Sequence, residues 1–188
     1  MNSPGSVAGS ARLRLFCGFR LPETTLRVLS DWQAEALARA RDLRVLPAEH
    51  LHVTLAFLGS RPAEEREAIM VAVRAAAGVA EPPCFTLRRY RETRTVGMLA
   101  LDDEDGRGAA IAAALHDELE RLGVYEPEAR DWLAHVTVAR FRHKPRLNPE
   151  LPPIAPFSPS EAALYHSVLR PTGAQYEVLD TIALGMRR

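Results

Sequence analysis

Apolar and polar residues alternate over several short stretches of this chain and recur at helical spacing over others. Alternation over 12–20 predicts a first strand, closed by Leu21-Pro22. Helical spacing through Leu26, Leu29, Trp32, Ala36 and Leu37 predicts a helix over 23–41, with Thr24 or Thr25 placed to cap it. A second strand is expected over 51–58, stopped by Gly59. A helix follows over 62–77, with Pro62 near its start and Gly78 past its end. Segments 84–90 and 96–101 read as the two strands of a hairpin. After an acidic loop at 102–108 comes a third helix over 109–122, ended by Gly123. Strands are expected over 133–141, 161–169 and 175–183, the last two joined by the turn Arg170-Pro171-Thr172-Gly173. The proline-rich stretch 144–159 reads as an exposed loop.

Two of these strands carry the same tetrapeptide pattern. His52-Val53-Thr54-Leu55 and His135-Val136-Thr137-Val138 both read His-apolar-Thr-apolar. Side chains two apart on a strand share a face, so each copy presents one imidazole and one hydroxyl together, with aliphatics behind. The same parity places Ala56 and Ala139 on the His/Thr face, where a small residue leaves room for a ligand. The two copies stand about half a chain length apart. This predicts an α+β fold of two pseudo-symmetric lobes, with two antiparallel sheets facing a central cleft and helices outside. Residues 1–11 form a Ser/Gly/Ala-rich tail, and 12–188 form one bilobal domain.

Composition narrows the class. The chain has 188 residues, 47% apolar and 26% charged, with a formal net charge of zero, as expected of a globular protein. A globally basic nucleic-acid coat is excluded, although a local basic patch is not. Lys144 is the only lysine, so arginine supplies nearly all positive charge and favours forked contacts to phosphate. Cys17 and Cys84 form no CxxC and read as free thiols. No basic-then-apolar leader pattern opens the chain and no apolar run is long enough to span a bilayer, so a cytoplasmic protein is expected.

Two facing His/Thr pairs suit acid–base attack on a phosphate diester. One neutral imidazole takes a proton from water, and the other, protonated, donates to the departing oxygen. The Thr hydroxyls, with an arginine nearby, hold the phosphoryl oxygens. A zinc site is a poorer reading, because two histidines without a carboxylate or thiolate partner fall short of the usual ligand set. A Ser-His-Asp site lacks its Gly-x-Ser-x-Gly elbow. Arg140 is the candidate phosphate ligand, although on an ideal strand its parity opposes His135, so it reaches the cleft only through a twist, a bulge or the strand's end. Phe16 and Tyr90 are candidates for stacking a nucleobase, Tyr90 within the basic run Arg88-Arg89-Tyr90-Arg91 with Arg94 beyond it. His50, His116, His143 and His166 lack the motif and read as surface or packing residues, as do Tyr165 and Tyr176.

These blocks resemble those of the two-histidine (2H) phosphoesterases, and within them the bacterial and archaeal RNA 2′,3′-cyclic phosphodiesterases, first named 2′-5′ RNA ligases. Leu51-His52-Val53-Thr54-Leu55-Ala56-Phe57-Leu58-Gly59 is similar to the family's first block, and His135-Val136-Thr137-Val138-Ala139-Arg140 to its second. The opening Arg14-Leu15-Phe16 and the closing Leu164-Tyr165-x-Ser167 and Pro171-x-Gly173-Ala174-x-Tyr176 match as well. Trp132-Leu133-Ala134 stands where the family often has Phe-x-Pro, and Val138 replaces a common Leu. The resemblance implies hydrolysis of a terminal 2′,3′-cyclic phosphate to a 2′-phosphomonoester. His52 and His135 would be catalytic, Thr54, Thr137 and Arg140 would bind phosphate, and no metal or other cofactor would be used. RNA ends or nucleoside 2′,3′-cyclic phosphates would be the partners, the protein acting as a monomer away from membranes. The residues leave the direction of proton transfer open; His135 as base and His52 as acid is the preferred order. Two other readings stand beside this one: ATP-independent 2′-5′ ligation, and an RNA-end binder without turnover. An ATP-dependent ligase would need a lysine nucleophile, and Lys144 has no ligase motif around it.

Overall fold

The computed structural model describes residues 11–37, 40, 42–171 and 173–185. All but residue 11 of the expected tail, the end of the first expected helix and Thr172 of the last turn lie outside the described residues. Among the described residues, eight antiparallel strands form one curled sheet: β1 (Arg12–Arg20), β2 (Leu43–Val45), β3 (His52–Pro62), β4 (Phe85–Glu92), β5 (Val96–Asp103), β6 (His135–Phe141), β7 (Glu161–Arg170) and β8 (Gly173–Ala183). Their order is β4-β5-β6-β3-β1-β7-β8, with β2 added to β6. The described helices α1 (Glu23–Trp32), α2 (Arg66–Ala77) and α3 (Arg107–Arg121) complete an α+β fold. Among the described residues, no helix is long and apolar enough to cross a membrane.

The sheet has two arms, β3-β1-β7-β8 and β4-β5-β6-β2. They join through one register pair, Val53↔Val136, the middle residues of the two His-x-Thr motifs. The motif strands are thus antiparallel neighbours at the centre of one curled sheet, and the expected facing sheets are its two arms. Antiparallel direction brings His52 toward Thr137 and Thr54 toward His135. Val53 and Val136 are 0% and 1% exposed, so they point into the core while the motif's polar residues point the other way.

Helices α2 and α3 pack on each other, α2 also on β7 and β8 and α3 on β3 and β5. Their buried stripes, Ile69, Met70 and Val73 on α2 and Ile111, Ala112, Leu115 and Leu119 on α3, follow the 3.6-residue period. The first turn of α3 is held by Asp103, whose carboxylate accepts from Gly108 N–H at 3.2 Å and Ala109 N–H at 2.8 Å. The first expected helix is shorter than its pattern: α1 ends at Trp32 and a π-helical turn covers Gln33–Leu37. No threonine caps α1, whose N-cap position is Pro22; Thr25 is buried instead. β2 escaped the alternation reading because three residues are too few to display a period.

Candidate active site

Each motif strand takes in one extra residue directly after its threonine. In β3, Cys17 pairs with Ala56 and Gly18 with Thr54, which skips Leu55. In β6, Gly97 pairs with Ala139 and Met98 with Thr137, which skips Val138. A bulge of this kind reverses the side-chain alternation beyond it. Ala56 and Ala139, expected on the cleft face, are buried at 2% and 0%; Ala56 still borders the cavity and Ala139 does not. The next residues, Phe57 and Arg140, also line it. Arg140 thus reaches the cleft despite its ideal-strand parity, and Phe57, 56% exposed, is its counterpart in the other copy.

Side chains from distant elements donate to main-chain carbonyls at both bulges, where the Val138 carbonyl also accepts from Leu46 N–H at 3.0 Å. Trp132 Nε1–H donates to the Thr54 carbonyl at 2.9 Å, and His116 Nε2–H to that of Leu55 at 2.9 Å. On β6, the buried Gln33 amide donates to the Val138 carbonyl at 2.9 Å and to that of Leu46 at 3.1 Å. The extra residues are therefore fixed structural features whose polar groups are satisfied.

The two histidines are held alike. His52 Nδ1 lies 2.7 Å from the His50 carbonyl, and His135 Nδ1 lies 2.8 Å from the Leu133 carbonyl. A carbonyl only accepts, so Nδ1 carries the hydrogen in both rings. Each Nε2 is left to take or give a proton. His52, Thr54, His135, Thr137 and Arg140 line one cavity of about 580 Å³, joined by Arg14, Phe57, Arg91, His116, Trp132 and Tyr176. Among the described residues, no three His, Cys, Asp or Glu side chains gather as a metal-binding set.

The two rings differ in their surroundings. His52 is 8% exposed and sits among Phe16, Tyr165 and Tyr176, with ring centroids 4.7, 5.4 and 5.5 Å away. Burial lowers its pKa to about 4; the His50 carbonyl partly opposes this, and His135, His50 and Arg140 add to it. In the free protein His52 is therefore neutral at pH 7. The side chain of His50 takes part as well: its Nε2 accepts from Tyr176 N–H at 3.3 Å, which ties β8 to the turn ahead of the first motif. Cys17 lies behind the sheet, its thiol pushed up to about 12 by burial, and so supplies no thiolate.

Two expected stacking residues are corrected. Phe16 is 2% exposed and stacked flat on Tyr165 at 4.7 Å, so it supports His52 and has no face left for a nucleobase. Tyr90 is absent from the cleft lining. Its ring lies 6.4 Å from Trp32, and its hydroxyl hydrogen-bonds Glu92 at 3.4 Å and fills the space above Gly97, where a Cβ would collide. A register shift between Leu87 and Arg89 moves the parity of β4 and brings Arg91 into the cleft. The exposed aromatic on the cleft is Phe57. His116, Trp132, Tyr176, Arg14 and Phe57 escaped the sequence reading as site residues, although Arg14, Phe57 and Tyr176 lie inside the quoted motif blocks. Lys144 is exposed on the loop after β6 and does not line the cleft.

A family model for LigT-like phosphoesterases matches residues 20–92. The RNA 2′,3′-cyclic phosphodiesterase of Thermus thermophilus is 29% identical, over 92% of this chain and 90% of that one. The crystal structure of TT0787, also of Thermus thermophilus, superposes with a TM-score of 0.79 at 27% identity, covering 94% of this chain and all (100%) of that one. That of Escherichia coli LigT complexed with 3′-AMP has the same fold, with a TM-score of 0.76 at 24% identity over 94% of this chain and 100% of that one. The chain is thus similar to the LigT-like phosphoesterases in sequence over residues 20–92 and in fold over most of its length.

The pKa of His52 has a consequence for stability. Its folded value, about 4, lies below the unfolded reference of about 6.5, so the unfolded chain binds this proton first as pH falls. The stabilisation from keeping His52 neutral is complete above about pH 6.5 and is lost as pH falls toward 4, a change of about 3 kcal/mol. Denaturant titrations at pH 7 and pH 4.5 are expected to show a smaller loss of stability in His52→Gln than in the wild type.

Proposed function

We propose that this protein hydrolyses the terminal 2′,3′-cyclic phosphate of RNA to a 2′-phosphomonoester, by acid–base catalysis between its two histidines and without a metal ion. The observation that carries this reading is the matched posture of the rings. Both Nδ1 atoms donate to the carbonyl two residues earlier, and both rings line one cavity with two threonines and an arginine. The Thermus thermophilus relative, an RNA 2′,3′-cyclic phosphodiesterase, supports the substrate class.

In this mechanism the cyclic phosphate lies between the motifs, its non-bridging oxygens on the Thr54 and Thr137 hydroxyls and Arg140. His135 Nε2 takes a proton from water as its oxygen attacks phosphorus. The P–O3′ bond breaks, and O3′ leaves with the proton from His52 Nε2, so the phosphate stays on O2′. Approach of the phosphate's negative charge favours the imidazolium that burial disfavours in the free protein, and so prepares His52 as the acid. A second proton transfer, from His135 to His52 through solvent, resets the pair. Phe57, exposed on the cleft, is positioned to stack the terminal base.

Replacing either His52 or His135 by Ala is expected to lower kcat by about 10³-fold or more on a nucleoside 2′,3′-cyclic phosphate, with EDTA leaving the wild-type rate unchanged. Near-wild-type turnover in either variant, or loss of activity with EDTA, contradicts the reading. A pH–rate profile leaves the direction of proton transfer unassigned, because either assignment gives the same product of protonation fractions. A leaving group that needs no proton separates them. A nucleoside 3′-thio-2′,3′-cyclic phosphate is expected to restore turnover to His52→Ala and not to His135→Ala; the reverse pattern would exchange the two roles.

A further inference from the structure

Beside the catalytic cleft lies a second recess of about 330 Å³, lined by Arg14, Arg44 and Arg140 together with Phe57, Ser167 and Tyr176. Arg14, Arg140, Phe57 and Tyr176 belong to both cavities, whereas Arg44 belongs to the recess alone. The catalytic cleft also takes in Glu128 and Asp131. Among the described residues, the recess has three guanidinium groups and no carboxylate in its lining, in a chain whose net charge is zero.

The fold sets these arginines close together. Arg44 on β2 and Arg140 on β6 are direct cross-strand partners, and like charges directly opposite one another destabilise a sheet. Strand β2 is three residues long, and its middle residue is Arg44. The Arg44 guanidinium rests on Gly173 at the start of β8, where φ is +122° and any Cβ would overlap it. The turn thus gives the guanidinium a seat that a larger residue would deny.

We infer that this three-arginine recess is a second phosphate subsite, which takes the phosphodiester on the 5′ side of the terminal nucleotide. The enzyme thereby prefers the end of an RNA chain to a free nucleoside 2′,3′-cyclic phosphate. The inference rests on the function proposed above and adds to it the length of substrate recognised. Arg140 bridges the two cavities, so a terminal nucleotide with its cyclic phosphate on the His/Thr face and its base at Phe57 carries its 5′ phosphate toward Arg14 and Arg44. Forked guanidinium groups suit such an oxyanion.

Binding of two product-like probes tests this without requiring turnover: adenosine 2′-phosphate, and the dinucleotide ApA ending in a 2′-phosphate. The wild type is expected to bind the dinucleotide about tenfold more tightly, the effect of one added charge-assisted phosphate contact. Arg44→Ala is expected to bring the two affinities within about twofold and to reduce the salt slope for the dinucleotide by about 0.7. Arg14→Ala provides a second variant should Arg44→Ala fold poorly. Equal affinities in the wild type, or a tenfold gap that survives in both variants, would overturn the inference. Failure of the wild type to hydrolyse either cyclic phosphate would instead overturn the proposed function, while the binding comparison would still report on the recess.

Discussion

The site depends on one irregularity, made twice: an extra residue directly after each motif threonine. Without it, a strand that presents His52 and Thr54 would next present Ala56, and one that presents His135 and Thr137 would next present Ala139. With it, Leu55 and Ala56, or Val138 and Ala139, turn inward in succession, and Phe57 and Arg140 arrive on the cleft face. The same device therefore delivers an aromatic ring from one copy and a cation from the other. Main-chain carbonyls at the bulges accept from side chains outside the strand, Trp132 and His116 on one side and Gln33, together with Leu46 N–H, on the other. Unmet, such groups would each cost about 1–3 kcal/mol, so the active-site geometry and the stability of the sheet centre are coupled.

The second constraint is electrostatic. His52 stands against an aromatic wall of Phe16, Tyr165 and Tyr176, which holds the ring in place and suppresses its charge. Neutral, the ring adds no further charge beside Arg140 in the cleft. The pseudo-symmetry of the fold is thus broken where the chemistry needs it broken. Two rings with the same backbone anchor differ in burial, and burial keeps His52 neutral.

Much of this was legible in the chain. Strand parity placed each His with its Thr, because that relation spans only two residues and is local. The order of strands and helices followed from periodicity, and the half-chain separation of the motifs foretold two matching arms. The bulges were not legible: Leu55 and Val138 are ordinary strand residues, and the groups that hold the extra residues in place, Gln33, His116 and Trp132, come from remote segments. That one omission accounts for the misplacement of Ala139 and for the unexpected exposure of Phe57. Phe16 misled for a related reason: parity identifies a face of a strand but not whether that face is open, and Tyr165 from β7 covers it. Leu133, at a departure from the family pattern, serves through its carbonyl, which any residue provides.

The central claim is that the paired rings open a cyclic phosphate in one fixed sense, with O3′ leaving and the phosphate staying on O2′. The most direct measurement is phosphorus NMR of the product formed from a nucleoside 2′,3′-cyclic phosphate by metal-depleted protein. The account requires a single resonance, that of the 2′-phosphomonoester. A 3′-phosphomonoester, or a mixture of the two, would contradict it.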